Sequence, residues 1–166
     1  MSHPAFVYDA GMLIALDHQD RTAHTFHQAL IRLDHPPVVP LPVLAQVWRP
    51  GRWTPLSRCV PQCTVFGTRE ARVAGCGPCD VGHLESDAKR AGQLLALAAI
   101  PAEKRPDAVD ALAMVIAARH VSSVVVTSDV RDLVAYRDAL PQAEQSVRVL
   151  PVSGLAEFMS GKRVTV

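Results

Sequence analysis

Five aspartates of this chain stand where buried segments end or helices begin, and aspartate is a residue type that binds divalent metal ions. Asp9 ends the segment F-V-Y-D, Asp107 and Asp110 lie in P-D-A-V-D-A, and Asp129 and Asp132 follow the run V-V-V-T-S. Clustered carboxylates repel and raise each other's pKa unless a cation lies between them. Mg²⁺ and Mn²⁺ are hard cations that take oxygen ligands. A divalent-metal site is therefore predicted, provided that the fold brings these aspartates together.

The pairs Asp107/Asp110 and Asp129/Asp132 also have a purely structural interpretation. The two members of each pair are three residues apart and share a helix face. An aspartate at a helix start, followed by a second acid, caps the helix and stabilises it by about 0.5–2 kcal/mol. One such pair alone is more often a cap than a ligand. The number of carboxylates that the expected fold brings to one edge favours the metal interpretation.

The elements that must position these residues follow from apolar periodicity. We expect strands at 5–8, 38–39, 123–127 and 147–152, and helices at 23–33, 42–48, 85–99, 108–119 and 130–140. This alternation indicates an α/β fold with a mostly parallel sheet flanked by helices. Ligands of such sheets bind outside the carboxyl ends of the strands. Asp9 and Asp129 both follow a predicted strand, so we expect both to face one crevice.

Length and composition bound the possible classes of protein. With 166 residues, 49% of them apolar, the chain is expected to form one domain over residues 1–166. No run approaches the roughly 18 apolar residues of a membrane span, and the start M-S-H-P-A-F lacks a signal pattern, so a cytoplasmic protein without membrane association is expected. A phosphoaspartate hydrolase is excluded because Gly11 stands where its second acid belongs, and no G-x-x-x-x-G-K nucleotide loop occurs.

Four segments of the chain resemble, in order and spacing, the PIN-domain ribonucleases, and within them the VapC-type toxins of toxin–antitoxin pairs. They are Y-D-A-G-M-L-I-A-L-D, P-V-L-A-Q-V-W-R, D-A-V-D-A-L-A-M-V-I-A-A and V-V-V-T-S-D-V-R-D-L, and they span roughly residues 5–135. The resemblance implies a three-layer PIN-like α/β fold and an endoribonuclease that hydrolyses RNA with Mg²⁺ or Mn²⁺. It also implies a homodimer and a small antitoxin protein as a partner.

Carried over by position, the resemblance assigns six residues to the site: Asp9, Asp110 and Asp129 as catalytic metal ligands, with Asp107, Asp132 and Gln46 in support. Gln46 departs from the family, which more often has glutamate there. An amide ligates through its oxygen but adds no negative charge, so the affinity for metal should fall unless Asp107 supplies the missing charge. The alternative for Gln46 is a polar helix residue that bonds a neighbour.

Segment 50–82 contains five of the nine glycines and four of the thirteen prolines of the chain, and we expect irregular structure there. Arginines are frequent in and beside it, and the arginine fork suits phosphate, which makes Arg49, Arg52 and Arg58 candidate RNA contacts. The alternatives are a solvated surface for the stretch and a local ion pair with an aspartate for Arg49. Trp48 is expected to pack into the core.

All four cysteines lie in the same segment. Cys59-x-x-x-Cys63 followed by Cys76-Gly-Pro-Cys79 is close to the spacing of a four-cysteine zinc site, with His83 as a substitute ligand. Such a structural Zn²⁺ would stabilise an insertion that lacks its own core. C-G-P-C is also a thioredoxin redox motif, although the flanking strand and helix are missing. Plain thiols, with the first pair buried and the second in a turn, are the third alternative.

Two other functions remain open at this stage. The first is a catalytically weak PIN-like module, its second acid lost at Gln46, that binds RNA or protein through the arginine-rich stretch. The second is a zinc-stapled interaction protein. The substitution Asp9→Asn separates enzyme from binding module, because an enzyme loses cleavage whereas a binding module keeps or gains affinity as repulsion of phosphate falls.

Overall fold

The structure, a computed structural model, describes residues 3–49, 55–67, 82–101 and 103–162. The strands within them are β1 (Ala5–Tyr8), β2 (Val38–Pro40), β3 (Thr64–Phe66), β4 (Ser123–Thr127) and β5 (Val147–Pro151). The helices are α1 (Ala10–Asp17), α2 (Arg21–Arg32), α3 (Leu41–Val47), α4 (Pro55–Cys59), α5 (Glu85–Leu97), α6 (Ala108–Ala117), α7 (Val130–Asp138), α8 (Pro141–Ser146) and α9 (Leu155–Met159), with 3-10 turns at Val60–Gln62 and Val152–Gly154. None of these described helices is long and apolar enough to cross a bilayer.

The five described strands form one parallel sheet in the order β3-β2-β1-β4-β5. The chain begins in the middle and builds outwards first on one side and then on the other, so the strand order reverses between β1 and β4. This reversal is the position at which open α/β sheets bind ligands. Because Tyr8 pairs with Val126 in register, the residues that follow β1 and β4 leave the sheet side by side.

The sheet is covered on both faces, as is usual for parallel strands. Along β1, Phe6 and Tyr8 join one core cluster with residues of α1, α2 and α9, whereas Val7 joins a second cluster with residues of α5, α6 and α7. In β4, Val124 and Val126 belong to the first cluster and Val125 to the second. The predicted α/β class and its three-layer arrangement are therefore confirmed.

Several elements were not predicted from the sequence. Helix α1 is apolar almost throughout, with Met12, Leu13 and Leu16 all buried, so it lacks the amphipathic period that marks surface helices. Residues 55–66 were expected to be irregular but form α4, a 3-10 turn and β3. Strand β3 forms because β2 offers it a partner, with Val39 opposite Val65. The short helices α8 and α9 were also missed, since six and five residues carry little periodic signal.

Gly11 allows the segments after β1 and β4 to approach one another closely. A Cβ atom at this position would lie 2.5 Å from the backbone nitrogen of Ser128, which is closer than real Cβ contacts. Glycine is therefore required for this approach. The contact holds the start of α1 against the loop that carries Asp129.

Candidate metal centre

Three helices begin at the carboxyl edge of the sheet, and an aspartate stands at the N-cap of each. Asp9 caps α1, Asp107 caps α6 and Asp129 precedes α7. The positive end of a helix dipole favours negative charge, so the backbone stabilises carboxylates here. The capping interpretation is confirmed for Asp107, whose side chain accepts backbone hydrogen bonds, whereas the side chain of Asp129 makes no cap hydrogen bond. The side chain of Asp9 also caps its helix, which the sequence did not predict.

Asp9 is almost completely buried, with 3% of its surface exposed. Its pKa is raised to about 6, mainly by burial and to a smaller extent by the nearby charge of Asp129, while hydrogen bonds from Thr127 and from the backbone of Met12 and Gly11 oppose the shift. The Met12 N–H donates to Oδ1 at 3.2 Å. Thr127 also accepts a hydrogen bond from the Asp129 N–H at 2.8 Å and so connects the first and last predicted ligands.

Asp110 lies in the first turn of α6 and is the most perturbed carboxyl of the site. Its pKa is raised to about 7, mainly by burial and then by the charges of Asp107, Asp9, Asp129 and Asp132, in that order. All five predicted carboxylates therefore interact within one electrostatic site. At neutral pH, Asp110 exchanges its proton readily with any cation that competes for the same oxygens.

Asp107 connects α6 to Gln46 on α3. Its Oδ1 accepts from the Val109 N–H at 2.7 Å, and its Oδ2 accepts from Nε2 of Gln46 at 3.0 Å. The interpretation of Gln46 as a helix residue that bonds a neighbour is thus observed. Its other amide atom, Oε1, is buried and has no hydrogen-bond partner among the described residues. An amide oxygen in that situation fits a cation ligand.

Tyr136 of α7 positions Asp107 through the backbone, a contact that the sequence did not predict. The Asp107 N–H donates to the tyrosine hydroxyl at 3.0 Å, and the hydroxyl donates to the Asp107 carbonyl at 3.3 Å. Tyr136 is itself buried in the second core cluster. The start of α6 is therefore fixed to α7, which carries Asp132.

Lys104 supplies the only cation that the described residues place between site carboxylates. Its Nζ lies 2.7 Å from Oδ2 of Asp129 and 3.0 Å from Oδ2 of Asp132, and these two bonds raise the pKa of the lysine. Asp132 is 5% exposed, and its Oδ1 is buried without a partner in the described part of the chain. The sequence did not identify Lys104, because it lies in a loop between two helices.

The donors of this site fit Mg²⁺ or Mn²⁺ chemically, since they are carboxylate and amide oxygens and two of those oxygens are buried without a partner. The side chains are not already arranged around a metal position. Among the described residues, no three Asp, Glu, His or Cys side chains lie close enough together to hold an ion. Lys104 draws Asp129 and Asp132 to itself, and Gln46 engages Asp107. A divalent ion must therefore displace the ammonium group of Lys104, whose side chain is 41% exposed.

Two of the four cysteines can be described. Cys59 is buried in the first core cluster, and Cys63, one helical turn later, donates a hydrogen bond from its Sγ to the Cys59 carbonyl at 3.4 Å. Burial raises the pKa of both thiols, for Cys63 to about 12, which favours the thiol over the thiolate that zinc needs. Cys76 and Cys79 lie outside the described residues, so the four-cysteine zinc site stays a prediction.

Two of the three arginines that were predicted to contact RNA, Arg49 and Arg58, lie within the described residues. Arg49 is exposed, donates to the Trp48 carbonyl at 3.0 Å and forms no ion pair with an aspartate in the described part of the chain. Trp48 itself is 45% exposed, so its expected place in the core is wrong: α3 ends before it and its backbone turns away in an extended conformation. Arg58 is exposed on α4, and Arg52 lies outside the described residues.

Comparison with known proteins gives no further information on this site. No protein-family model, curated protein or solved structure matches the chain. The likeness to PIN-domain ribonucleases therefore depends on the four sequence segments, and the chemistry of the site depends on its geometry.

Proposed function

We propose that this protein is a Mg²⁺- or Mn²⁺-dependent endoribonuclease, and that it is the toxin of a toxin–antitoxin pair. The observation that carries the proposal is the convergence of five carboxylates at the point where the strand order reverses. Two of them, Asp9 and Asp110, have strongly raised pKa values because they are buried together with like charges. A protein gains nothing from burying such repulsion unless a cation relieves it.

Each residue of the site has its own role in the proposed reaction. Asp9, Asp110 and Asp129 would hold the ion, with Asp107, Asp132 and the Oε1 atom of Gln46 next to it. A divalent ion in such a site activates water and stabilises the charge that develops on a phosphate group. Thr127 fixes Asp9 relative to Asp129, and Tyr136 fixes the start of α6. These contacts limit how far Asp9, Asp129 and the start of α6 would shift if an ion replaced the pairs that Lys104 and Gln46 make.

Lys104 supports a phosphate substrate as well. If Asp129 and Asp132 held an ion, the ammonium group of Lys104 would lie free beside the site, and a partly exposed lysine there would attract the RNA backbone. The same arrangement favours the second candidate, a binding module. Lys104 and the neutral Gln46 together weaken the attraction of the site for metal relative to a site with a sixth carboxylate.

The test is cleavage of a mixed RNA pool by purified protein with Mn²⁺ or Mg²⁺, beside EDTA. We expect metal-dependent cutting that Asp9→Asn abolishes. Asp138→Asn is the matched control, because it makes the same change at a half-exposed carboxylate whose ion pair, among the described residues, is with Arg137. Absence of cutting by folded wild-type protein with either metal would leave the binding module as the better account.

The proposals on partners have their own measurements. A homodimer should have twice the chain mass of 17.9 kDa in light scattering. A toxin should arrest growth when it is expressed alone, and the Asp9→Asn variant should not. Arrest by both proteins would contradict a toxic activity that depends on this site.

A further inference from the structure

A groove of about 910 Å³ lies between α2 and the segment formed by α4 and the following 3-10 turn. It is separate from the aspartates. Gln19, which lines the groove, follows the carboxyl end of α1, whereas Asp9 caps the other end. Eight residues of helix place the two regions about 12 Å apart at 1.5 Å per residue.

The groove is basic. Arg21, Arg32 and Arg58 line it, and none of its described lining residues is acidic. None of the three arginines forms an ion pair with another described residue. Three acids lie near it in sequence. Asp20 accepts from the Ala23 N–H at 2.8 Å, Asp17 accepts from the Leu56 N–H at 3.3 Å, and Asp34 is exposed two residues after Arg32.

The spacing of the arginines indicates an extended ligand. Arg21 and Arg32 lie on the same helix, eleven residues apart, which is about 16 Å along the axis. A single anion cannot reach both. The ligand that satisfies them carries several negative charges along its length, and the arginine fork matches phosphate oxygens with two parallel hydrogen bonds.

The neutral residues of the groove favour a nucleic-acid backbone over an acidic peptide. Thr25, Gln28 and Gln62 supply hydroxyl and amide groups that suit sugar hydroxyls. The described lining contains no Phe, Tyr, Trp, Leu, Ile or Val, so it offers no apolar pocket for a peptide anchor. Its one aromatic ring is the imidazole of His24, which is bonded to the Leu16 carbonyl at 2.9 Å. Recognition here would be independent of base sequence.

We propose that this groove binds the sugar–phosphate backbone of the RNA strand that the aspartate cluster cleaves. The proposal depends on the proposed ribonuclease function for the identity of the strand. Since the two regions are about 12 Å apart at 1.5 Å per residue of α1, a long RNA contacts both and a small phosphodiester contacts only the aspartates. The groove then contributes affinity for substrate and no chemistry.

The experiment measures binding of a fluorescent 20-nucleotide single-stranded RNA by anisotropy across a salt series, with Asp9→Asn in every protein to prevent cleavage. The test variant is Arg21→Gln/Arg32→Gln/Arg58→Gln. Three lost phosphate contacts should reduce the slope of log affinity against log salt by about 2, and should weaken binding at low salt by at least about tenfold. The matched control removes three exposed charges elsewhere, with Arg90→Gln/Arg148→Gln/Lys162→Gln.

The outcomes separate this proposal from the proposed function. An unchanged slope, or an equal loss in the control variant, would overturn the groove proposal whatever the nuclease does. Competition by polyglutamate as strong as that by unlabelled RNA would overturn it in favour of an acidic protein segment. RNA binding that depends on the groove, in a protein whose wild type cleaves nothing, would support the groove and reject the nuclease. Circular dichroism of both triple variants checks that they fold.

Discussion

Near one end of α1, five carboxylates interact with one another and a lysine pairs with two of them, Asp129 and Asp132, whereas near the other end three arginines line a groove that contains no acidic residue in its described lining. The carboxylates Asp9 and Asp132 are almost fully buried, whereas all three arginines are exposed. A net charge of +1 hides this separation. The distribution of charge, and not its sum, indicates what the protein does: one region needs a cation from outside and the other needs an anion.

The largest expected effect is the loss of RNA cleavage in the Asp9→Asn variant. Measuring both cleavage and RNA affinity distinguishes the carboxylate region from the arginine groove. Asp9→Asn should lower cleavage of long RNA at least about 100-fold, since the loss of a metal ligand exceeds the 10- to 100-fold effect of losing an outer partner. It should leave RNA affinity unchanged or higher. The triple arginine variant, in contrast, should raise KM for long RNA and leave hydrolysis of bis(p-nitrophenyl) phosphate unchanged. If each variant lost activity equally on long RNA and on bis(p-nitrophenyl) phosphate, the two regions would not have separate roles.

Gln46→Glu sharpens the account of the carboxylate region. A sixth negative charge should tighten Mn²⁺ binding about tenfold, which corresponds to about 1.4 kcal/mol. In EDTA the same variant should melt a few degrees lower, because the glutamate cannot donate to Asp107 and repels it. Gln145→Glu, at an exposed position of α8, is the control for added charge. A Mn²⁺ affinity that does not change would separate residue 46 from the metal site.

The raised pKa values predict an unusual pH dependence in EDTA. The pKa of Asp110 is about 7 and that of Asp9 about 6 in the folded protein, against 3.8 in an unperturbed aspartate. Between about pH 4 and pH 7 the folded state therefore binds more protons than the unfolded state, and these two groups destabilise the fold as the pH rises. We expect Asp110→Asn to melt like the wild type near pH 4 and several degrees higher above pH 7.

The measurement is a series of thermal melts of both proteins from pH 4 to pH 8. A difference in melting temperature that stays constant with pH would contradict the raised pKa of Asp110. Saturating Mn²⁺ should abolish the advantage of the variant above pH 7, because the ion stabilises the ionised carboxylates of the wild type.

The smallest expected effect concerns Lys104. Its ammonium group competes with a divalent ion for Asp129 and Asp132, but the lysine side chain is 41% exposed, so solvent screens both ion pairs and weakens the competition. Lys104→Gln should therefore tighten Mn²⁺ binding by about threefold to fivefold in a calorimetric titration. Lys162→Gln, at an exposed position outside the site, should have no effect. Weaker Mn²⁺ binding in Lys104→Gln would show that the lysine assists the ion and does not compete with it.

Much of the carboxylate region could be predicted because its positions follow from the order of the elements. Parallel strands end at the same edge, so a residue that follows β1 and a residue that follows β4 must lie close together once the two strands are known to be neighbours. Asp107 was also predictable, since a cap at the start of a helix is a local property of the sequence. These inferences need only the period of apolar residues and the direction of the strands.

The rest depends on tertiary contacts that leave no local signal. Lys104 reaches Asp129 across 25 residues of sequence, and Tyr136 reaches Asp107 across 29. The groove was missed because one wall is α4, in a segment whose breakers predicted irregular structure. Trp48 was assigned to the core because it is large and apolar, but its position just past the end of α3 leaves it exposed.

The most direct test of the central claim, that the carboxylates form a divalent-cation site, is a titration of metal-free protein with Mn²⁺ at pH 7.5, followed by the electron paramagnetic resonance signal of the free ion. The account predicts saturable binding to the wild type that Asp110→Asn weakens at least about tenfold, while Asp138→Asn binds like the wild type. Binding that is absent in the folded wild type, or equally strong in Asp110→Asn, would contradict it.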